Sequence, residues 1–237
     1  MTLIYDHAGV RLYHGDCREI IPTLQEKADL VLTDPPYSER VHVFAKSGSI
    51  SKSQLEGEFE HINEGEMLEY FLLMSTVARR WVVSFIAWEH AALLYKRPPV
   101  GLRFIRFGVW VKNETGPPQF SGDRPAQGWE AIAFLHNAQE KLRWNGKGRS
   151  SVFSHTIERL YTNGKWGAHP TVKPLGLVKE LMLLFSNNGD VVLDPFAGSG
   201  TTGVAAKQLG RRAILIEREE KYCDLIIERL QQEAMLL

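Results

Sequence analysis

The amino-acid sequence predicts an α/β protein built on a mostly parallel sheet. Three observations carry that expectation. Within the stretch 29–33, Leu30, Val31 and Leu32 form an apolar run without alternation, as a strand buried on both faces requires. Residues 191–193 form a second such run, which feeds a glycine turn and a helix. Between the two, stretches of helical apolar spacing alternate with short strand-like runs.

Length and charge set the bounds. A chain of 237 residues holds one large or two small domains, and its apolar content is ordinary for a packed core. Its 28 basic and 28 acidic side chains balance, so contact with nucleic acid has to come from local patches. Cys17 and Cys223 are too few for a disulfide framework and too far apart for a zinc pattern. They read as reduced thiols in a cytoplasmic protein without a metal site. There is no signal peptide, no apolar run long enough to span a membrane, and no repeat.

Taken in order, residues 11–17 read as a short strand ending in Gly15-Asp16, followed by a helix over 18–24. Asp16 is either the helix N-cap or a ligand-binding acid. His14 reads as structural. The strand over 29–33 must stop at Asp34, because Pro35 and Pro36 lack amide donors and fix φ. Residues 38–66 form a long polar loop, basic in its first half (Arg40, Lys46, Lys52) and acidic in its second, either a flap or a solvated excursion. Met67, Tyr70, Phe71, Met74 and Val77 repeat at helical spacing and place a core-packing helix over 66–80. A strand over 81–85 and a helix over 89–95 follow, the latter stopped by Pro98-Pro99. Strands over 104–111 and 129–135 are joined without a helix, so they pair antiparallel.

Residues 138–168 change character. Lys141, Arg143, Lys147, Arg149, Arg159 and Lys165 face only Glu140 and Glu158, with Trp144, Phe153, Tyr161 and Trp166 interleaved. Such a composition is a solvated face or a nucleic-acid contact, and the local charge excess with aromatics favours the second. A helix over 175–185 follows His169-Pro170-Thr171-Val172-Lys173-Pro174.

The chemistry concentrates at two strand ends. In Asp34-Pro35-Pro36-Tyr37, the Asp34 carboxylate and the Pro35 carbonyl accept hydrogen bonds, the prolines add no competing donors, and Tyr37 offers a flat face for stacking. That combination suits a planar exocyclic amine. The string LTDPPY resembles the catalytic motif of the DNA amino-methyltransferases, which methylate exocyclic amines of adenine or cytosine.

At the second strand end, Gly198, Gly200 and Gly203 satisfy GxGxxG, and Glu217 ends the next strand at about the spacing of a ribose-binding acid. A Walker loop would need Lys-Ser/Thr where Val204-Ala205 stand. A dinucleotide site aims a helix N-terminus at a pyrophosphate, whereas the Asp194 carboxylate would repel pyrophosphate and attract an ammonium. S-adenosylmethionine supplies an ammonium for Asp194, a carboxylate for Thr201 or Thr202 with the helix N-terminus, and a ribose diol for Glu217. The string Asp194-Pro195-Phe196-Ala197-Gly198-Ser199-Gly200-Thr201-Thr202 is similar to the cofactor motif of the same family.

The motif order, with DPPY first and the cofactor strand last, resembles the β-type arrangement of bacterial and phage DNA amino-methyltransferases. The resemblance covers nearly the whole chain. It implies a Rossmann-like methyltransferase fold: a seven-stranded, mostly parallel sheet with one antiparallel edge strand and helices on both faces. It divides the chain into a catalytic half (1–137), a small basic target-recognition insert (138–168) and a cofactor-binding half (169–237). It implies catalysis by Asp34, Pro35, Pro36 and Tyr37. It adds Asp16, Cys17, Asp34, His169 and Lys173 to the cofactor site, although a proline-rich loop ahead of a helix explains most of the HPxxKP string without function. Arg40, Lys141, Arg143, Lys147 and Arg149 are the implied DNA contacts, with Trp110 either one wall of a base pocket or a core tryptophan. Double-stranded DNA is the implied partner, with the target base out of the stack, and a homodimer is implied. In the family, Asp at the first tetrapeptide position more often accompanies adenine and Ser more often accompanies cytosine, which favours N6 of adenine over N4 of cytosine. The alternatives are RNA or protein-glutamine methylation and a binding-only protein. The motif order weighs against the first two, and the intact Asp34, Tyr37, Asp194 and Glu217 against the last.

Overall fold

A computed structural model describes residues 2–36, 62–112, 125, 127–158, 161–162, 165–166 and 172–232. The chain opens with a hairpin of β1 (Thr2–His7) and β2 (Val10–His14). Its turn holds Ala8 and Gly9 at φ 50° and 79°, as a two-residue turn with both central residues left-handed requires. Next come α1 (Cys17–Ile20), a 3-10 turn (Ile21–Thr23) and β3 (Ala28–Thr33). Then follow α2 (Glu64–Val77), β4 (Ala78–Ile86), α3 (Trp88–Lys96), β5 (Leu102–Lys112) and β6 (Trp129–Asn137). β7 (Val152–His155) precedes a hairpin of β8 (Tyr161–Thr162) and β9 (Lys165–Trp166). The chain continues through α4 (Leu175–Phe185), β10 (Val191–Asp194), α5 (Thr201–Gln208), β11 (Arg212–Glu217) and α6 (Glu220–Gln232).

The main sheet has the order β1-β2-β11-β10-β3-β4-β6-β5-β7. Strands β2, β11, β10, β3 and β4 run parallel. β6 runs against both neighbours, β4 and β5, and β7 runs with β5. The mostly parallel α/β sheet is as expected, but among the described residues it has nine strands rather than seven. The reversed strand β6 is not at the edge. It lies between β4 and β5, and the reversed edge strand is β1. β1 escapes a sequence reading because five of its six side chains are exposed and none is buried, so no apolar alternation marks it. β7 buries only Phe153 and leaves the same weak signal, which is why part of 138–168, expected as an appendage, extends the main sheet instead.

Each central strand feeds both faces. Leu30, Leu32, Phe85 and Val192 pack with α4, α5 and α6, while Val31, Val82, Leu193 and Ile214 pack with α2 residues such as Phe71 and Met74. Two-sided burial explains the unbroken apolar runs. Polar Asp29 at the foot of β3 is satisfied by Arg79 at 3.0 Å, Arg80 at 3.4 Å and the Val191 amide at 3.0 Å. Helix α2 starts at a capping box in which the Asn63 side chain accepts from the Glu66 amide and Glu66 accepts from the Asn63 amide.

The connections set the site. From β3 the chain moves to β4 on one side, and from β10 through α5 to β11 on the other. The neighbours β3 and β10 therefore straddle a topological switch point, where open α/β sheets bind ligands beyond the strands' carboxyl ends.

Candidate active site

A cleft of about 220 Å³ opens at this switch point, lined among others by Asp16, Cys17, Asp34, Pro35, Pro36, Tyr70, Glu130, Lys173, residues 194–199, Thr201, Thr202 and Glu217. Asp34 follows β3 directly and Asp194 ends β10, so two segments far apart in sequence place carboxylates side by side. Asp194 is 4 % exposed. Its Oδ1 accepts from the Thr33 hydroxyl at 2.7 Å and the Phe196 amide at 3.1 Å. Burial pushes its carboxyl up to about 6; hydrogen bonds from Thr202, Thr33 and the Phe196 amide oppose this, and nearby Asp34 adds to it. Glu217 ends β11 and accepts from the Gly198 amide at 2.7 Å and the Glu219 amide at 2.9 Å. Burial raises its pKa while those amides, with that of Arg218, pull it down.

The glycine turn between β10 and α5 is shaped from behind. Gly200 has φ 77°, and a Cβ there would meet Ile226 of α6 at 2.9 Å. A Cβ on Gly203 would meet Leu215 of β11 at 2.6 Å, so this glycine lets α5 lie against the sheet. Arg229, on α6, donates to the Ser199 carbonyl at 2.5 Å and the Thr201 hydroxyl at 3.2 Å. The Thr201 hydroxyl also lies 3.2 Å from that of Ser199, and Thr202 bonds Asp194. Both threonine hydroxyls thus hold the loop together.

Lys173 is buried against Asp34, whose Oδ2 accepts from its ammonium, with Glu130 of β6 at 3.4 Å and the Phe85 ring centre at 5.0 Å. Burial alone would lower its pKa; Asp34 and Glu130 together outweigh it and hold the pKa above the ordinary lysine value. The carboxylates that Lys173 neutralises are therefore the protein's own. Asp16 caps α1, accepting from the Arg18 amide at 2.8 Å and the Arg18 guanidinium, which holds its carboxyl below the usual range. It also lines the cleft, so the N-cap and the site acid are one residue. Burial pushes the thiols of Cys17 and Cys223 up to about 12, which keeps them protonated.

Other expected site residues fall elsewhere. Tyr37, Arg40 and His169 lie outside the described residues. Trp110 is the core tryptophan, not a pocket wall: it is 2 % exposed, and its indole N–H is spent on the His155 carbonyl at 2.9 Å. Lys141, Arg143 and Lys147 are exposed at the wrong end of the sheet. The Arg143 carbonyl accepts from the Trp81 indole at 2.6 Å, and Trp81 pairs with Leu30, four residues below Asp34, or roughly 13 Å at about 3.3 Å per residue. The Asn145 amide likewise donates at 3.0 Å to Leu184, in the last turn of α4. Arg149 pairs with Glu180 on α4. The DNA contact assigned to Lys141, Arg143 and Lys147 is corrected accordingly, because charge excess marks a surface but not which edge carries it; Arg149 is different, because its partner Glu180 also bonds His155 at the carboxyl end of β7. Trp144 and Phe153 are packing residues, with ring centres 5.4 Å from Phe185 and 6.3 Å from Phe134. The chain returns to the cleft edge only after β7, where Glu158 accepts from the Leu175 amide at 2.9 Å. Hairpin β8–β9 lies between that anchor and Lys173.

Three residues of the site carry no signal in the sequence. Glu130 sits on the reversed strand, Arg229 looks like any charge on an amphipathic helix, and Tyr70 at helical spacing reads as core. Tyr70 packs edge-on against Phe196, 4.9 Å between ring centres, and lines the cleft.

The family model for DNA methylases of the N6_N4_Mtase type matches residues 28–228. The chain belongs to this DNA methylase family. The methylase is thus an S-adenosylmethionine-dependent DNA amino-methyltransferase of the kind acting on N6 of adenine or N4 of cytosine. It is 27 % identical to the type II methyltransferase M2.DpnII of Streptococcus pneumoniae over 97 % of this chain and 92 % of that protein. It is 29 % identical to the type II methyltransferase M.HinfI of Haemophilus influenzae over 92 % of this chain and 67 % of that one. Among solved structures it resembles the M1.HpyAVI–SAM complex at 27 % identity and TM-score 0.70, covering 93 % of this methylase and 98 % of that chain. The PvuII DNA methyltransferase (cytosine-N4-specific) shares the fold at TM-score 0.70 and 18 % identity, covering 96 % and 90 %. No helix among the described residues is long and apolar enough to cross a membrane.

Proposed function

We propose that this methylase acts on the N6 amine of an adenine that has left the stack of double-stranded DNA, as the modification partner of a type II restriction system. The names of the relatives support the last clause. The reading rests on the Asp34 carboxylate, which is paired with Lys173 and still 24 % exposed at the cleft. An ionised carboxylate only accepts hydrogen bonds, and more strongly than a hydroxyl. In the resembled family, Asp at this position more often accompanies adenine.

An exocyclic amine is a weak nucleophile because its lone pair is conjugated with the ring. Hydrogen bonds to Asp34 and the Pro35 carbonyl favour a pyramidal nitrogen with its lone pair turned out of the ring plane, a case of orientation plus preorganised electrostatics. Tyr37, next in sequence, supplies the stacking face. S-adenosylmethionine, when bound, supplies a methyl group on a sulfonium that leaves as a neutral thioether. The residues present suit it. Asp194 is buried among hydroxyl and amide donors and burial pushes its pKa up, so an ammonium complements it. Glu217 is oriented by backbone amides and keeps lone pairs for a diol. The N-terminal amides of α5 suit a carboxylate. The reading of flanking bases falls to hairpin β8–β9, which follows Glu158 and precedes Lys173 in the chain, rather than to the loop around Arg143.

The test is a product analysis: incubation with labelled S-adenosylmethionine and duplex DNA, digestion to nucleosides and mass spectrometry. N6-methyladenine is expected. N4-methylcytosine would overturn the base assignment, and label confined to RNA or protein would overturn the substrate.

A further inference from the structure

Four charges of alternating sign run from β5 into the cleft. Lys112 on β5 lies 2.6 Å from Glu130 Oε1, Glu130 Oε2 lies 3.4 Å from the Lys173 ammonium, and Lys173 donates to Asp34 Oδ2. The inner members are shielded, with side-chain exposures of 13 % for Lys112, 14 % for Glu130 and 10 % for Lys173. Buried charges interact strongly, and each is costly without its partner. The chain is electrically balanced, and its only more open member is Asp34, at the catalytic end.

We propose that Glu130 and Lys173 are positioning residues for methyl transfer: Lys173 fixes the Asp34 carboxylate in place, and Glu130, by sharing the lysine's charge, keeps Asp34 a strong acceptor for the target amine. The proposal rests on the reading that Asp34 accepts from that amine. Shared between two carboxylates, the ammonium orients Asp34 through Oδ2 while dividing its charge with Glu130. Left to Asp34 alone, it would bind more tightly and weaken the carboxylate toward substrate. Among the described groups, the Phe85 ring, 5.0 Å from the ammonium, and Asp194, whose charge Asp34 already feels, also face the pair.

The two positions have opposite signatures. Glu130→Gln preserves shape and removes one negative charge near Asp34, so Asp34 ionises more readily and the acid limb of the kcat–pH profile moves to lower pH. Lys173→Met removes the positive partner, so that limb moves to higher pH. At pH 7.5, Lys173→Met should lower kcat at least tenfold and Glu130→Gln several-fold, with KM for S-adenosylmethionine and for DNA changed less than twofold. Opposed shifts are not produced by loosened packing. Acid limbs that move in the same direction or not at all overturn the proposal. So does a raised KM for S-adenosylmethionine with unchanged kcat in Lys173→Met, which would give that lysine to the cofactor. A Glu130→Gln protein that fails to fold, judged by circular dichroism, also overturns it, by assigning the residue to stability. Asp34→Asn, assayed alongside, separates the two levels. If it keeps turnover, the reading of Asp34 fails; if it is inactive while both other variants behave as wild type, only the present proposal fails.

Discussion

Replacing Asp194 with Asn should make the protein more stable and unable to hold its cofactor. The ordinary aspartate value of 3.8 rises to about 6 in the fold. Between these values the folded state binds a proton that the unfolded state has lost, so stability falls as pH rises from about 4 through 6 and levels off above. A rise of about two pH units is worth roughly 3 kcal/mol of destabilisation at neutral pH. Asn removes that cost and still accepts from the Thr33 hydroxyl and the Phe196 amide through its oxygen, while the Thr202 hydroxyl can turn to accept from its NH2. In a chain of this size, about 3 kcal/mol corresponds to an increase of roughly 6–12 °C in Tm. Thermal melts of the cofactor-free protein at pH 7.5 should show Asp194→Asn melting higher than wild type, with the gap shrinking toward pH 5. Added S-adenosylmethionine should raise the wild-type Tm and leave the variant's unchanged. A variant that melts below wild type at pH 7.5, or that keeps the full cofactor-induced rise, would refute the reasoning.

Other perturbations test the scaffold. Gly203→Ala gains about 1 kcal/mol in helix propensity but drives a Cβ against Leu215, and overpacking costs roughly 1–3 kcal/mol; a Tm lowered by a few degrees is expected, and an unchanged one removes the close-packing role. Neutralising Lys141, Arg143 and Lys147 together should leave DNA affinity and its salt slope unchanged in anisotropy titrations. Were they phosphate contacts, the slope would drop by about 0.9 for each. Arg229→Met should raise KM for S-adenosylmethionine several-fold with little change in kcat, because it frees the Ser199 carbonyl and Thr201; steady-state kinetics that leave KM unaltered would make Arg229 a core residue only.

What the sequence revealed and what it hid have a common physical basis. Asp34, Asp194 and Glu217 were legible because each terminates a buried strand next to a rigid or glycine turn, and such ends converge in any parallel sheet. Glu130 was not, because its place at the cleft depends on β6 inserting between β4 and β5, and non-local register has no local mark. Arg229 reaches the glycine loop only through the packing of α6. The basic residues of 138–168 were visible as charge, but their chain first runs down to the amino edge of the sheet and climbs back along β5, a route that composition does not encode.

The position of β10 and β11 in the sheet has a consequence for how the molecule is made. These are the last two strands in the chain's order, yet they stand between β2 and β3, two of the first. Until they arrive, a growing polypeptide carries β2 and β3 as two facing edges with their ladders unmade, a template for pairing with other chains. Closing that gap requires contacts more than 160 residues apart, such as Val192 with Leu30 and Ile214 with Arg11, which places a large entropic demand late in folding. Because Asp194 and Glu217 ride on the same two strands, methylation competence arises in one step with sheet closure.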